Sequence, residues 1–258
     1  MAVLKARSVL VTGSNRGIGL ELVRQLLEKS NRPERIFATC REPEGPRAQK
    51  LKDLAAKHKE VEIVQLDTAE PSSIKSAAAR VSEQLKGTGL NLLINNAATL
   101  NLNTLDTETS DGMAEVFKTN VIGPFVVGQA FLPLLRKASQ ESPQKGMSCS
   151  KAAIVNISSE GGSITNVLMW NMVQALSYRC SKAALNMLTK CQSLGYSDDK
   201  ILCVALHPGW VQTDMGNAAA QAPLTVDQSV GAILNTFAHL SEKDNGTFVN
   251  WEGKAIPW

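Results

Sequence analysis

The sequence predicts an α/β fold, a doubly wound, seven-stranded parallel sheet with helices on both faces. Three observations carry that expectation. Seven short apolar, β-branched runs bounded by turn residues alternate with stretches of helical period, and strands alternating with helices imply a parallel sheet covered on both sides. A glycine-rich segment follows the first run and opens a helix. The chain has 258 residues, 43% of them hydrophobic, which suits a single domain over residues 1–258, because doubly wound sheets commonly reach this length without splitting.

In chain order, SVLVT (8–12) is the first strand, and IGLELVRQLLEKS after it is an amphipathic helix. RIFATC (35–40), VEIVQL (61–66) and LNLLIN (90–95) are the next three strands. MAEVFKTNVIGPFVVGQAFLPLLRKA reads as one long helix. The polar stretch ASQESPQKGMSCSK (138–151) reads as an exposed loop inserted before the fifth strand, with no chemistry to offer. AAIVNIS (152–158) is the fifth strand, YRCSKAALNMLTKCQSL a helix, ILCVAL (201–206) the sixth strand and TFVNW (247–251) the seventh. There is no internal repeat.

Composition excludes several classes. The net charge of +3 comes from 27 basic and 24 acidic residues without a like-charge block, so nothing marks a nucleic-acid or membrane partner. No uninterrupted apolar run reaches the roughly 18 residues of a membrane span, and no secretory leader is legible. The five cysteines lack paired zinc spacing and read as free thiols, which places the chain in the cytoplasm. The sequons at Asn156 and Asn245 are dismissed, the first because it lies in a core strand. His58, His207 and His239 stand apart, and neither HExxH nor GxSxG occurs, which argues against metal or serine hydrolysis. No metal is expected.

Two segments carry chemistry. In TGSNRGIG, glycines at 13, 17 and 19 follow a strand at a helix start, where exposed amides and the positive dipole end hold a pyrophosphate. The alternative is a turn that merely lets the helix start close to the sheet. Tyr178 and Lys182 are four residues apart, hence on one helix face. An ammonium beside the phenol is expected to lower its pKa from about 10 toward neutrality, making Tyr178 a general acid or base. Cys180, two positions on, is expected to pack away from the phenol.

These motifs, with NNAA (95–98), LDT (66–68), Asn120, NISS (156–159) and HPGWVQTDM (207–215), resemble the short-chain dehydrogenase/reductase family in its compact single-domain form over nearly the whole chain. The long insertion before the fifth strand, YRCSKAALN and the ending FVNWEGKAIPW look most like sniffer-type carbonyl reductases and C-factor proteins. The resemblance implies a three-layer Rossmann fold holding NADPH/NADP+. It implies that Tyr178 protonates a carbonyl, Ser159 polarises it, Lys182 binds the nicotinamide ribose and Asn120 holds a relay water. Ser159 and Tyr178 are nineteen positions apart, so Ser158 and Ser163 stay open as alternatives, with the NISS pattern favouring Ser159. By the same resemblance, Gly13, Ser14, Asn15, Arg16, Gly17, Ile18, Gly19, Asp67, Thr68, Asn95, Ala97, Pro208, Gly209, Val211 and Thr213 line the cofactor cleft. Ala98 replaces the usual glycine. Family members commonly form dimers or tetramers, so a homodimer or homotetramer is implied, with no interface legible.

The second strand ends Thr39-Cys40-Arg41 where NAD users place a carboxylate. Arg41 and Arg16 would pair with a 2′-phosphate through charge-assisted bonds, which favours NADPH. By resemblance, residues 161–177 and 209–224 wall the substrate pocket. They offer Met169, Trp170, Met172, Trp210 and Met215, and Asp214 is their single charged residue. Burying an unpaired charge is costly, so an uncharged, apolar or aromatic ketone, aldehyde or quinone fits best. A non-catalytic NADP(H)-binding regulatory protein on the same fold is the competing reading, and the retention of Ser159, Tyr178 and Lys182 argues against it.

Overall fold

Seven parallel strands form one sheet in the order β3-β2-β1-β4-β5-β6-β7. The computed structural model describes residues 2–258. The strands are β1 (Ser8–Thr12), β2 (Arg35–Cys40), β3 (Val61–Gln65), β4 (Leu92–Asn95), β5 (Ala153–Ile157), β6 (Leu202–His207) and β7 (Phe248–Asn250). Each falls within the run expected for it or within one residue of it. The β-branched runs are short, and turn residues bound them on both sides. Order reverses between β1, whose next strands in sequence lie on one side, and β4 on the other. The crevice at such a switch point is where open α/β sheets bind ligands.

Side-chain alternation splits the core in two. Val9 and Val11 face a layer containing Leu22, Val23 and Leu26 of α1 (Gly17–Glu28), Leu51 of α2 (Gln49–Lys57) and Ile233 and Phe237 of α7 (Val226–His239). Leu10 and Phe37 face the opposite layer, with Ile74 and Val81 of α3 (Pro71–Gln84) and Val127, Phe131 and Leu135 of α5 (Gly123–Glu141). The remaining helices, α4 (Ser110–Phe117) and α6 (Leu176–Gly195), pack on each other, and α6 lies against β6. The doubly wound expectation holds.

The structure departs from expectation in the long helix and in the stretch before β5. The long helix is not continuous: a π turn, Lys118–Ile122, separates α4 from α5. Pro124 has no N–H to donate to the Asn120 carbonyl four residues back, so the α-helical ladder opens there. The helical stretch Ser110–Glu141 is also apolar enough on average to span a bilayer, although no uninterrupted run is. Here Val127, Phe131 and Leu135 spend that apolar face on the protein core, each fully buried. Finally, residues 138–151 are not an exposed loop throughout. The helix continues to Glu141, and Met147 and Cys149, 4% and 0% exposed, enter the core beside β5. A polar average over fourteen positions hides two apolar anchors.

All five cysteines are free thiols, as expected. Cys180 is not a packing residue; it is exposed on α6, so turning away from Tyr178 carries it into solvent.

Truncating the Met147 side chain should therefore leave a cavity: Met147→Ala is expected to lose about 2–5 kcal/mol of stability in urea melts. Lys145→Ala, two residues away on the exposed part of the loop, should lose less than about 0.5 kcal/mol.

Candidate active site

The turn from β1 to α1 is built for close approach. Gly13 and Gly17 have φ of 67° and 53°, a region side chains disfavour. A Cβ on Gly19 would lie 2.2 Å from the Gly13 carbonyl oxygen, and one on Gly13 would lie 3.0 Å from the Ala97 Cα. The α1 N-cap, Arg16, gives no side-chain cap, and the first turn carries no acidic residue. Its amides are therefore open to an anion at the positive end of the dipole. The residues present fit a dinucleotide pyrophosphate. Ser14 is buried, with its hydroxyl on the Val11 carbonyl (2.7 Å), so it holds the turn from inside. Asn15 and Ile18 are partly exposed. Asn96, inside the NNAA motif but given no role by the sequence, staples this turn to β4 through bonds from its amide to the Thr12 (2.9 Å) and Gly13 (3.2 Å) carbonyls.

At the C-terminal end of β5, Ser158, Ser159 and Ser163 separate by environment. Ser158 is buried and donates to Asn186 Oδ1 at 2.6 Å. Ser163 donates to the Pro257 carbonyl at 2.7 Å. Ser159 accepts the Gly161 amide at 3.1 Å, and its hydroxyl stands close enough to the Tyr178 phenol to favour the phenolate. Of the three, only Ser159 meets Tyr178.

Tyr178 and Lys182 come together as the helical spacing implies, with Nζ 5.5 Å from the centre of the phenol ring. The expected electrical consequence does not follow. Burial raises the phenol above its ordinary value, and the Ser159 hydrogen bond only partly opposes it. Burial also depresses Lys182, which is 2% exposed, to about 7. The enclosure that unites the pair removes much of the ammonium charge that was to act on the phenol. Lys182 Nζ donates to the Ile157 carbonyl at 2.8 Å.

Asn120, at the π turn, is buried and committed. Its amide accepts from the Thr99 amide (2.9 Å) and donates to the Thr99 carbonyl (2.9 Å) and Ser181 Oγ (3.0 Å). Behind it a buried polar chain runs from Asn95 to Asn156 (2.8 Å) and on to Thr189 and Gln192 (2.9 Å each). Asn95 Oδ1 is buried without a partner at the end of β4.

On the other side of the switch point, Arg41, Asp67 and Glu70 line an open groove of about 830 Å³ with α3. Asp67 accepts the Ala69 amide at 2.9 Å, and Thr68 is buried below α5, where a Cβ on Gly123 would strike its carbonyl at 2.7 Å. Arg41 is exposed and makes no ion pair among the described residues. Arg16 instead pairs with Asp214, both well exposed.

After β6, Pro208 accepts Ser229 Oγ at 2.6 Å, and Gly209 (φ 88°) lets the chain turn where a Cβ would meet Leu224 at 2.8 Å. Val211 is buried and bridges to Leu224, closing residues 209–224 into a loop. Thr213 packs over Gly17, 3.2 Å from where its Cβ would be. A depression of about 160 Å³ gathers Trp170, Met172, Val173 and Gln174 with Ala219 and, unexpectedly, Leu102 and Thr104. The segment between β4 and α4 is thus a third wall that sequence reading missed. Its Asn- and Thr-rich composition looks like a linker. Met169, 42% exposed, Trp210 and Met215 do not line this depression. The Trp210 indole donates within its own loop to the Gly216 carbonyl at 2.6 Å. Glu108 ties the third wall to α6 by accepting from Ser177 and from Asn103 (3.1 Å), bonds that hold its carboxyl near 2.

A parallel switch-point crevice with a glycine cradle on one side and a phenol, hydroxyl and amine on the other defines a dinucleotide-dependent α/β enzyme. The particular family is shown by comparison: the chain belongs to the short chain dehydrogenase family, which matches residues 7–224. The chain is 59% identical to an NADPH-bound carbonyl reductase from chicken fatty liver, with a TM-score of 0.96 over 100% of this chain and 96% of that one. The carbonyl reductase Sniffer of Drosophila melanogaster is 38% identical, with a TM-score of 0.92 over 98% and 100%. The C-signal protein of Myxococcus xanthus is 33% identical over 66% of this chain and 93% of its own. The narrower resemblance to sniffer-type and C-factor proteins is therefore found as well.

The depressed Lys182 gives a pH test. The unfolded chain keeps this proton up to the ordinary 10.5, while the folded chain releases it near 7. Between those values the unfolded state binds more protons, so stability conferred at this site rises with pH. Thermal melts from about pH 6 to about pH 9 should show wild type gaining on Lys182→Met; a constant gap would mean the folded protein keeps the proton.

Proposed function

We propose that this protein is an NADPH-dependent carbonyl reductase, one domain carrying both cofactor and substrate sites, acting in the cytoplasm on uncharged apolar or aromatic ketones, aldehydes or quinones. The meeting of Tyr178, Ser159 and Lys182 at the rim of a glycine-cradled crevice carries the reading. The NADPH-bound chicken carbonyl reductase, at 59% identity, supports the cofactor assignment.

When bound, the reduced nicotinamide supplies a hydride to the carbonyl carbon. Tyr178 gives its phenolic proton to the oxygen, and Ser159 donates a hydrogen bond to that oxygen. Burial raises the phenol above its ordinary value, so it stands in the protonated form that can give this proton. Lys182, anchored on the Ile157 carbonyl, keeps further N–H groups for the nicotinamide ribose. Because the Asn120 amide is already committed, its main-chain carbonyl, deprived of a donor by Pro124, is the group to hold a relay water. Gly13, Asn15, Gly17 and Ile18 would surround the pyrophosphate, with Asp67 and Thr68 beside the adenine. Arg41 has no ion-pair partner among the described residues and can take a 2′-phosphate, whereas Arg16 would exchange Asp214 for it, a weak exposed pair being readily given up.

The preference for uncharged substrates rests on charge accounting. Glu108 is satisfied by Ser177 and Asn103, and Arg179 by main-chain carbonyls. The residues that line the depression carry no charge for a charged substrate to meet.

Spectrophotometric NADPH oxidation against a panel of such carbonyl compounds tests the reading, and inertness across the panel with NADPH still bound would favour a regulatory role. Tyr178→Phe should lose roughly 10²–10⁴-fold in turnover while keeping its NADPH affinity; near-normal turnover would remove Tyr178 from the chemistry. Arg41→Asp should lower the NADPH-to-NADH efficiency ratio by about ten- to a hundredfold, the worth of a charge-assisted bond.

A further inference from the structure

The loop from Gly162 to Ala175 contributes much of the substrate-side depression, yet its own packing does not explain its shape. Leu168, Met169 and Met172 are 53%, 42% and 66% exposed, so apolar burial does not hold it. Met169 and Ala175 have φ of 57° and 44°, left-handed values unfavourable for residues with a Cβ. Such conformations persist only where the surroundings over-determine them.

One side chain supplies the missing restraint. Arg179 Nε donates to the Gln174 carbonyl at 2.7 Å, and Nη2 donates to the Leu168 and Val173 carbonyls at 2.8 and 2.9 Å. Its guanidinium carbon lies 5.9 Å from the centre of the Trp170 ring, within cation–π range. The three carbonyls adjoin both strained positions: residue 168 precedes Met169, and residues 173 and 174 precede Ala175. Arg179 has no carboxylate partner among the described residues, so its guanidinium hydrogen bonds all go to these carbonyls. It also follows Tyr178 directly on α6, and neighbouring helical residues point about 100° apart. One turn of helix thus presents the phenol on one side and grips the loop on the next.

We propose that Arg179 is a positioning residue that locks the substrate loop to the helix bearing Tyr178, and so sets which carbonyl compounds fit, favouring those whose bulky apolar or aromatic body reaches Trp170 and Met172. The proposal rests on the carbonyl-reductase reading above. The planar fork is essential to it, since the single ammonium of lysine cannot serve the same three carbonyls with one fixed plane.

The test compares wild type with Arg179→Lys and Arg179→Gln, using a bulky aryl ketone and a small dicarbonyl such as butanedione. The expected result is a KM for the bulky ketone raised about tenfold or more, with the small substrate's KM and both kcat values moving less than about threefold. NADPH affinity, read by nucleotide fluorescence, should not change, and thermolysin should nick the loop faster in both variants. Equal KM shifts for the two substrates, or unmoved KM values with unchanged nicking, would overturn the role of Arg179. Should Arg179→Gln fail to fold, Arg179→Lys with hydrogen exchange of the loop amides decides the matter. A wild type that reduces neither substrate nor any other carbonyl overturns the underlying reading instead, and the nicking comparison still shows whether Arg179 holds the loop.

Discussion

The seating of α6 on the end of β5 is the constraint from which the rest of the site follows. Lys182 Nζ reaches the Ile157 carbonyl, and Ser158 bonds Asn186 one turn further along. Gly162 makes room for this approach, since a Cβ there would lie 2.6 Å from the Lys182 carbonyl carbon. With the helix drawn in so tightly, Ser159 at the strand end and Tyr178 in the first turns of the helix necessarily meet. The same closeness dehydrates the lysine and the phenol, so the geometry and the altered proton affinities have one cause.

That seating also explains the architecture of the substrate side. Everything between Gly162 and Leu176 must loop outward and return, and the two residues flanking the phenol brace the surroundings of that loop. Ser177 meets Glu108 of the third wall, while Arg179 meets the carbonyls of the loop itself. At the far end the loop is held by the chain's last segment, where Ser163 donates to Pro257 and the Thr165 amide to Trp258, whose ring stacks on Phe248 of β7 at 5.6 Å. Positions nearly a hundred residues apart in sequence thus shape one opening.

The strands were readable because parallel strands buried on both faces are near-continuous apolar runs, and SVLVT and RIFATC coincide with β1 and β2 residue for residue. The π turn was not, because its cause is the missing amide of Pro124 acting four residues upstream. Met147 and Cys149 were lost in a polar stretch, since averages do not register two buried anchors. The walls from Thr99 to Thr109 and the grip of Arg179 were hidden for a different reason: their partners are main-chain carbonyls and distant polar side chains, which leave no pattern in the order of residues.

By itself the sequence determined the alternation of strands and helices, the glycine turn that opens a helix, and the placing of a phenol and an amine on one helical face. These are local consequences of hydrophobic period, conformational freedom and helical pitch. Only the tertiary structure decided that Ser159 rather than Ser158 or Ser163 meets the phenol, that Arg16 leans on Asp214, and that burial raises Tyr178 and lowers Lys182. Those outcomes depend on which groups share a dehydrated space, and that is settled by how separate elements pack rather than by their spacing along the chain.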